Sequence, residues 1–446
     1  MSLIEQTADS TEAPVDSRAL QARAHEIIPG GCHTCAKGDD QFPQSAPPFI
    51  ARGKGCRVWD VDGKEYIEYG MGLRSVTLGH AYPSVLAAAR DALEMGTNFT
   101  RPAQLEVECA EAFLSMVPGA DMVKFTKDGS SATSAAVKLA RAYTGRDLVA
   151  VCSSHPFFSS DDWFMGTTPL DAGIPQAIKD LTVSFQYNDI TSVEALFERH
   201  PGQVAGLIME PCKYEPPQDD FLTKVQRLCQ KHGATFILDE MITGFRLHNG
   251  GAQSLYGITP DLSTWGKGMA NGFALSALAG KREIMELGGL KTDKPRVFLL
   301  STTHGAETHA LAAAIETMRI YREEPVVQTL QSRGHELDEK WRATIAAHGL
   351  EDYLPVFGFP SNLVFATRDA EGRPSQGFRT LFLQEMIRRG VLAPSLVISY
   401  SHGEEDIRQT VAALEGALEV YKRALTDGYQ KYLVGEPSKV VYRKFN

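Results

Sequence analysis

The chain lacks an excess of positive charge, a long apolar run and a cysteine framework. Its 446 residues carry 45 Lys and Arg against 55 Asp and Glu, a formal net charge of -10. That balance argues against a nucleic-acid binder or an anionic-membrane binder and favours solubility. No window reaches the apolar length of a membrane span. Met1 to Ala22 carries Glu5, Asp9, Glu12 and Asp16 and no apolar core, so it does not read as a secretory signal and the expected compartment is the cytoplasm. The 7 cysteines are an odd number scattered over a large chain, which excludes a disulfide-rich scaffold. Cys32 and Cys35 form a CxxC, but no second ligand pair is spaced for zinc, so no metal is expected. Pro29-Gly30-Gly31 in front of the pair reads as a loop rather than the strand-helix context of a redox motif.

What is present is an ordinary globular composition, 43% hydrophobic and 22% charged, on a chain long enough for two or three domains. Its organising stretch runs from Thr235 to Lys267. Thr235-Phe236-Ile237-Leu238 is an apolar run of strand length, and it ends in two acids, Asp239 and Glu240. Open α/β sheets bind ligands at the carboxyl ends of their strands, which is where Asp239 would stand. Lys267 lies between Gly266 and Gly268, whose small size lets the backbone approach a ligand and leaves the amine uncrowded. An acid and a lysine so placed suit pyridoxal phosphate chemistry: the amine forms a Schiff base with the aldehyde and the acid keeps the pyridine nitrogen protonated. Taken singly, such an Asp also serves as a helix cap and such a Lys as a solvated surface group.

Elsewhere the pattern alternates strand and helix. A helix is expected from Ser17 to Ile27, and a hairpin from Val58–Val61 and Glu65–Tyr69 around Asp62-Gly63. Helices follow over Ser84–Met95 and Ala103–Met116, then a strand over Val123–Thr126. Asp128-Gly129-Ser130-Ser131 opens a helix that stops at Gly145; its exposed amides and hydroxyls suit an anion, though the same residues also serve as an ordinary cap. Buried strands over Leu148–Cys152, Val204–Met209 and Leu275–Ala279 complete a mostly parallel sheet covered by helices. Beyond Leu311 the helices and a strand over Asn362–Thr367 group apart, as in a smaller α+β domain.

Leu238-Asp239-Glu240-Met241-Ile242-Thr243-Gly244-Phe245-Arg246, Gly250-Gly251-Ala252-Gln253, Pro260-Asp261-Leu262 and Gly266-Lys267-Gly268 together resemble the signature of class III pyridoxal-phosphate aminotransferases, in particular the glutamate-1-semialdehyde 2,1-aminomutase branch. The resemblance runs from about Ile28 to about Ala424. It implies an α/β fold of the aspartate-aminotransferase type (fold type I), with an arm and joining segment over 1–60, a large cofactor domain over 61–310 and a small α+β domain over 311–446. It implies pyridoxal 5'-phosphate as cofactor, Lys267 as its Schiff-base lysine and Asp239 as the partner of its ring nitrogen. Gly129 and Ser130 are then phosphate ligands, Phe157 the ring-stacking aromatic with His155 the competing choice, and Thr303, with Thr302 the alternative, the residue reaching the phosphate of a neighbouring subunit in a homodimer.

Departures from the branch fall on the substrate side. Lys37 stands where the aminomutases have a carboxylate-binding arginine, which keeps the charge but loses the bidentate fork. Leu73 and Arg74 replace Trp and Gly, Ser131 replaces a glutamate, and Glu215 replaces an asparagine. Arg74 reads equally as a substrate-facing cation or a surface charge, and Glu215 as altered pocket chemistry or a rim acid. The expected activity is therefore transfer of an amino group from a small-molecule donor to an aldehyde or ketone acceptor. Intramolecular transfer of the aminomutase kind is the alternative, and a non-catalytic cofactor-binding protein a more distant one.

Overall fold

The computed structural model describes residues 16–153, 157–212 and 214–445. The expected first helix is α1, Ser17–Ile27, capped by Asp16, whose carboxylate accepts from the Arg18 and Ala19 amides. Strands β1 (Ile50–Lys54), β2 (Arg57–Asp60) and β3 (Glu65–Glu68) form antiparallel pairs. Two helices, α2 (Pro83–Glu94) and α3 (Gln104–Leu114), lead to β4 (Met122–Thr126) and α4 (Gly129–Thr144). Then come β5 (Leu148–Cys152), β6 (Thr182–Phe185), α5 (Ile190–Arg199), β7 (Val204–Met209), α6 (Phe221–His232), β8 (Thr235–Asp239), β9 (Leu262–Trp265) and β10 (Ser276–Gly280).

Seven of these strands build the main sheet in the order β4-β10-β9-β8-β7-β5-β6. Strands β6, β5, β7, β8 and β9 run parallel, and β10 runs against both β9 and β4. Every residue of β7, β8 and β9 is buried, as expected of strands covered on both faces. One face packs on α4, through Ala136, Leu139 and Ala140 against Ile208 and Ile237. Another packed layer joins α5 and α6 to the sheet through Leu196, Val225, Leu207 and Phe236.

This topology fixes where chemistry can occur. The carboxyl ends of β4, β7, β8 and β9 lie along one edge, and the reversed β10 contributes its amino end there. That edge carries Thr126 leading to Asp128, Met209 leading to Glu210, Asp239, Trp265 leading to Lys267, and Ser276.

The rest of the chain closes over that edge. Helix α7 (Thr308–Glu323) buries its alanine-rich face, Ala310, Ala313 and Ala314, in the same core as Val85 of α2 and Phe113 of α3. Helices α8 (Val326–Ala347), α9 (Gln376–Arg388) and α10 (Glu404–Asp427) surround the antiparallel sheet β11 (Val356–Phe359), β12 (Asn362–Phe365) and β14 (Leu396–Val397). Strand β13 (Val391–Leu392) instead pairs parallel with β3, tying the C-terminal region to the N-terminal hairpin. Among the described residues no helix is long and apolar enough to cross a membrane, and no cluster of His, Cys, Asp or Glu could hold a metal.

Candidate active site

A cavity of about 410 Å³ opens at the sheet edge, lined among others by Arg74, Gly129, Ser130, Phe157, Glu210 and Tyr214 together with Asp239, Lys267, Ser276 and Asn362. The acid ending β8 and the acid just after it go to different places. Asp239, at the strand end, lines the cavity with 3% of its surface exposed. Both of its described hydrogen bonds land on Oδ1, from the Met241 amide at 3.0 Å and from Thr264 Oγ1 at 3.0 Å. Oδ2 is thus available to a donor within the cavity. Burial raises the Asp239 carboxyl to about 7, the Glu210 charge adds to the rise, and Lys267 opposes it. Glu240 points away. Its oxygens accept from the Ala252 amide at 2.9 Å, the Gln253 amide at 2.7 Å and Thr243 Oγ1, so it anchors the Gly250–Gln253 turn and is not among the cavity's lining residues.

Lys267 follows β9 in a left-handed conformation, φ 41°, which a lysine adopts only against a steric penalty. Its glycine neighbours sit where a larger residue would force nearby side chains to move. A Cβ on Gly266 would lie 2.6 Å from Ser276 Oγ and 2.7 Å from Met241 Sδ; one on Gly268 would lie 2.7 Å from Thr77 Oγ1. Removal from solvent lowers the Lys267 amine below the usual lysine range, against the attraction of Asp239 and Glu210. A neutral amine is a nucleophile and a proton acceptor, which an ammonium is not.

Helix α4 presents its start to the same cavity. Asp128 caps it by accepting from the Ser131 amide at 2.8 Å, and the amides of Gly129 and Ser130 have no carbonyl one turn back to bond. The Ser130 hydroxyl accepts from the Ser160 amide at 3.0 Å, which ties the helix start to the loop after β5. Phe157 lines the cavity with 48% of its surface exposed and sets its ring edge-on to Phe164 at 5.9 Å, while Phe158 is buried. The competing aromatic position, His155, lies outside the described residues.

The opposite wall comes from remote segments. Arg74 donates from Nε to Asn362 Oδ1 at 2.8 Å and from Nη2 to Ser395 Oγ at 3.4 Å, and burial lowers its guanidinium below the ordinary arginine value. It ends a run in which Met71, Gly72, Leu73 and Arg74 have φ of 42°, 56°, 57° and 73°, a turn of left-handed backbone. Each such non-glycine residue costs about 1–2 kcal/mol. Tyr214 and Asn362 carried no sequence signal as site residues. Asn362 is the first residue of an ordinary strand, and only the fold brings it to Arg74.

Lys37, Glu215 and Thr303 do not line this cavity. Lys37 is exposed on a short turn, Cys35–Lys37. Glu215 is exposed and accepts from Gln218 Nε2 at 3.5 Å; its neighbour Tyr214 occupies the wall instead. Thr303 is exposed, and its carbonyl accepts from Asn98 Nδ2 at 3.0 Å. Thr302 lines a second hollow with Ser131, Ser134 and Arg141. Cys32 and Cys35 are free thiols.

An acid, a buried amine and a helix start thus converge at the carboxyl edge of a mostly parallel sheet, the place where open α/β folds bind anionic ligands. Residues 40–351 match the family Aminotransferase class-III, and the chain belongs to that family. It is 34% identical over 430 residues to glutamate-1-semialdehyde 2,1-aminomutase of Chloroherpeton thalassium, covering 91% of this chain and 98% of the relative. Among solved structures it resembles the pyridoxal-phosphate internal-aldimine form of FumI from Sphingopyxis sp. MTA144, with TM-score 0.85 and 30% identity over 95% of this chain and 98% of that one. It also resembles an omega-transaminase from Sphaerobacter thermophilus, with TM-score 0.82 and 26% identity over 94% and 100% of the two chains.

Proposed function

We propose that the protein is a pyridoxal-phosphate aminotransferase that moves an amino group from a donor to an aldehyde or ketone acceptor. The observation that carries this reading is the placement of Lys267, Asp239 and the start of α4 around one cavity. The residues fit the cofactor's chemistry: Asp239 Oδ2 suits a protonated ring nitrogen, the Gly129 and Ser130 amides a phosphate, Phe157 a ring face, and the uncrowded Lys267 amine an aldehyde. When bound, pyridoxal phosphate supplies an aldehyde that condenses with amines and a ring that accepts electrons.

The chain's own groups do the rest. Lys267 would hold the cofactor through its amine, and its Nζ, when free, would be the group that moves a proton at the donor carbon, a role that its lowered basicity suits. Asp239, whose carboxyl burial raises to about 7, would be held ionised by a cationic ring and would in turn keep that ring protonated. Arg74, a partly desolvated cation held by neutral partners, suits a substrate carboxylate. Lys37 and Glu215 stand back from this wall, and in this reading they do not contact substrate within one chain. Thr303, on an exposed loop, suits service to the site of a second copy, in a homodimer. A screen of amino acids and terminal amines against keto acids and aldehydes, followed by the change in cofactor absorbance, tests the reading; absence of any amine-dependent change across the panel would leave only cofactor binding.

A second reading, intramolecular transfer, is favoured by the names of curated relatives, of which three further examples at 31% identity are also glutamate-1-semialdehyde 2,1-aminomutases. Incubation with glutamate-1-semialdehyde alone separates the two. Efficient formation of 5-aminolevulinate would replace the first reading with the second.

A further inference from the structure

Arg246 lies in the loop after β8, 2% exposed and outside the cavity lining. It forms none of the described ion pairs with a carboxylate. Its guanidinium instead donates to four neutral oxygens: Arg74 O at 2.9 Å, Thr77 Oγ1 at 3.3 Å, Ser361 O at 3.4 Å and Ile398 O at 3.4 Å. Burial lowers it to about 10; Tyr321 of α7 favours its charge and Arg74 opposes it. A buried cation without an anion is costly, and an apolar side chain would fill the space at less expense. What the guanidinium does that an apolar group cannot is join three separate backbone segments.

Those segments are the ones that place Arg74. The first acceptor is Arg74's own carbonyl, at the end of the left-handed turn. Ser361 immediately precedes Asn362, which holds Arg74 Nε. Ile398 follows β14, a few residues after Ser395, which receives Arg74 Nη2. From α8, Gln331 Nε2 completes the junction by donating to Arg246 O at 3.3 Å and to Ser361 Oγ at 3.2 Å. One guanidinium therefore fixes the strained backbone of Arg74 and the backbone beside both supports of its side chain. The geometry points to Arg246 as a positioning residue that holds the 71–74 turn in its left-handed state and aims Arg74 into the substrate side of the cavity. The functional half of this inference rests on reading Arg74 as substrate-facing; the structural half does not.

The test uses holoenzyme and the variants Arg246→Lys, Thr77→Val and Arg74→Lys. Lysine at 246 keeps the positive charge that disfavours the Lys267 ammonium, so it isolates the lost fork geometry. Two readouts are taken: hydrogen exchange of the amides over 71–77, and the kcat/KM preference for β-alanine over propylamine. Arg246→Lys should speed exchange over 71–77 roughly tenfold or more, leave the α4 amides unchanged, and cut the β-alanine preference about tenfold, mainly through KM. Thr77→Val, which removes one of the four acceptors, should shift both in the same direction by less. Arg74→Lys should lose the preference without faster exchange. Unchanged exchange over 71–77 in Arg246→Lys, or equal acceleration throughout the chain, overturns the proposal. If Arg246→Lys does not fold, unchanged exchange in Thr77→Val does so. Should Arg74→Lys keep the preference, or the parent turn over neither amine, the substrate reading of Arg74 falls and the exchange result alone decides the role of Arg246.

Discussion

The two walls of the cavity are built in opposite ways. The wall proposed to hold the cofactor comes from the ends of neighbouring strands in one buried sheet, so Asp239, Lys267 and Gly129 are placed by hydrogen-bonded ladders and a helix start. The wall proposed to face substrate comes from Arg74, Tyr214 and Asn362, on loops and a strand end far apart in the chain, with Arg74 held in strained backbone. A wall made by a sheet is specified by local pattern and is rigid. A wall assembled from loops can change its chemistry without disturbing the sheet. That difference separates what one family shares from what a member selects.

The largest effect that would sharpen the contrast belongs to the cofactor wall. Asp239→Asn should lower kcat about a thousandfold, on the order of 4 kcal/mol of transition-state stabilisation, while cofactor stays attached to Lys267. The same substitution carries a pH signature. Because burial raises Asp239 from 3.8 to about 7 in the fold, its contribution to the stability of cofactor-free protein is fully present below 3.8 and is lost as pH rises through about 7. Asparagine should flatten that slope in denaturation midpoints measured from pH 4 to 8. Equal losses of stability in parent and Asp239→Asn over this window would break the assignment of a desolvated acid.

Arg74→Lys should act on the other wall, raising KM for carboxylate-bearing substrates about 10- to 100-fold with kcat changed little. Steady-state kinetics with paired carboxylate and carboxylate-free amines checks this. A fall in kcat equal for both amines would make Arg74 part of the reacting machinery and erase the distinction between the walls. Smallest in its effect on turnover is Glu240→Gln, one residue from Asp239 but bonded to the Gly250–Gln253 turn rather than lining the cavity. Replacing one accepting oxygen by a donor beside the Ala252 and Gln253 amides should cost about 1–3 kcal/mol of stability in chemical denaturation and leave kcat near the parent value. A kcat loss like that of Asp239→Asn would contradict the separate placement of the two acids.

The same contrast governs how much could be read from residues alone. The apolar run Thr235–Leu238 and the acid after it mark β8, and Gly266-Lys267-Gly268 marks the lysine, because both signals are contiguous. The helix start at Gly129 follows from Asp128 and the hydroxyls after it. Helix α1 and strands β5 and β7 likewise have the expected bounds, since caps and apolar runs punctuate them locally. Arg74 was legible as either a substrate-facing cation or a surface charge, but its backbone was not: Met71, Leu73 and Arg74 have no preference for positive φ, so nothing in their identity announces a left-handed turn. Asn362 and Tyr214 were not legible at all, because their role exists only once tertiary contacts bring distant segments together. Glu240 adjoins Asp239 in sequence, and only the fold shows that its oxygens are taken by backbone amides.

The central claim is that the amine at the end of β9 carries the cofactor. Borohydride reduction of the purified holoenzyme, followed by proteolysis and peptide mass mapping, tests it directly. The account predicts a pyridoxyl group on the peptide containing Lys267 and none in Lys267→Ala treated in the same way. A pyridoxyl group on any other lysine, or one retained in Lys267→Ala at the parent level, would contradict it.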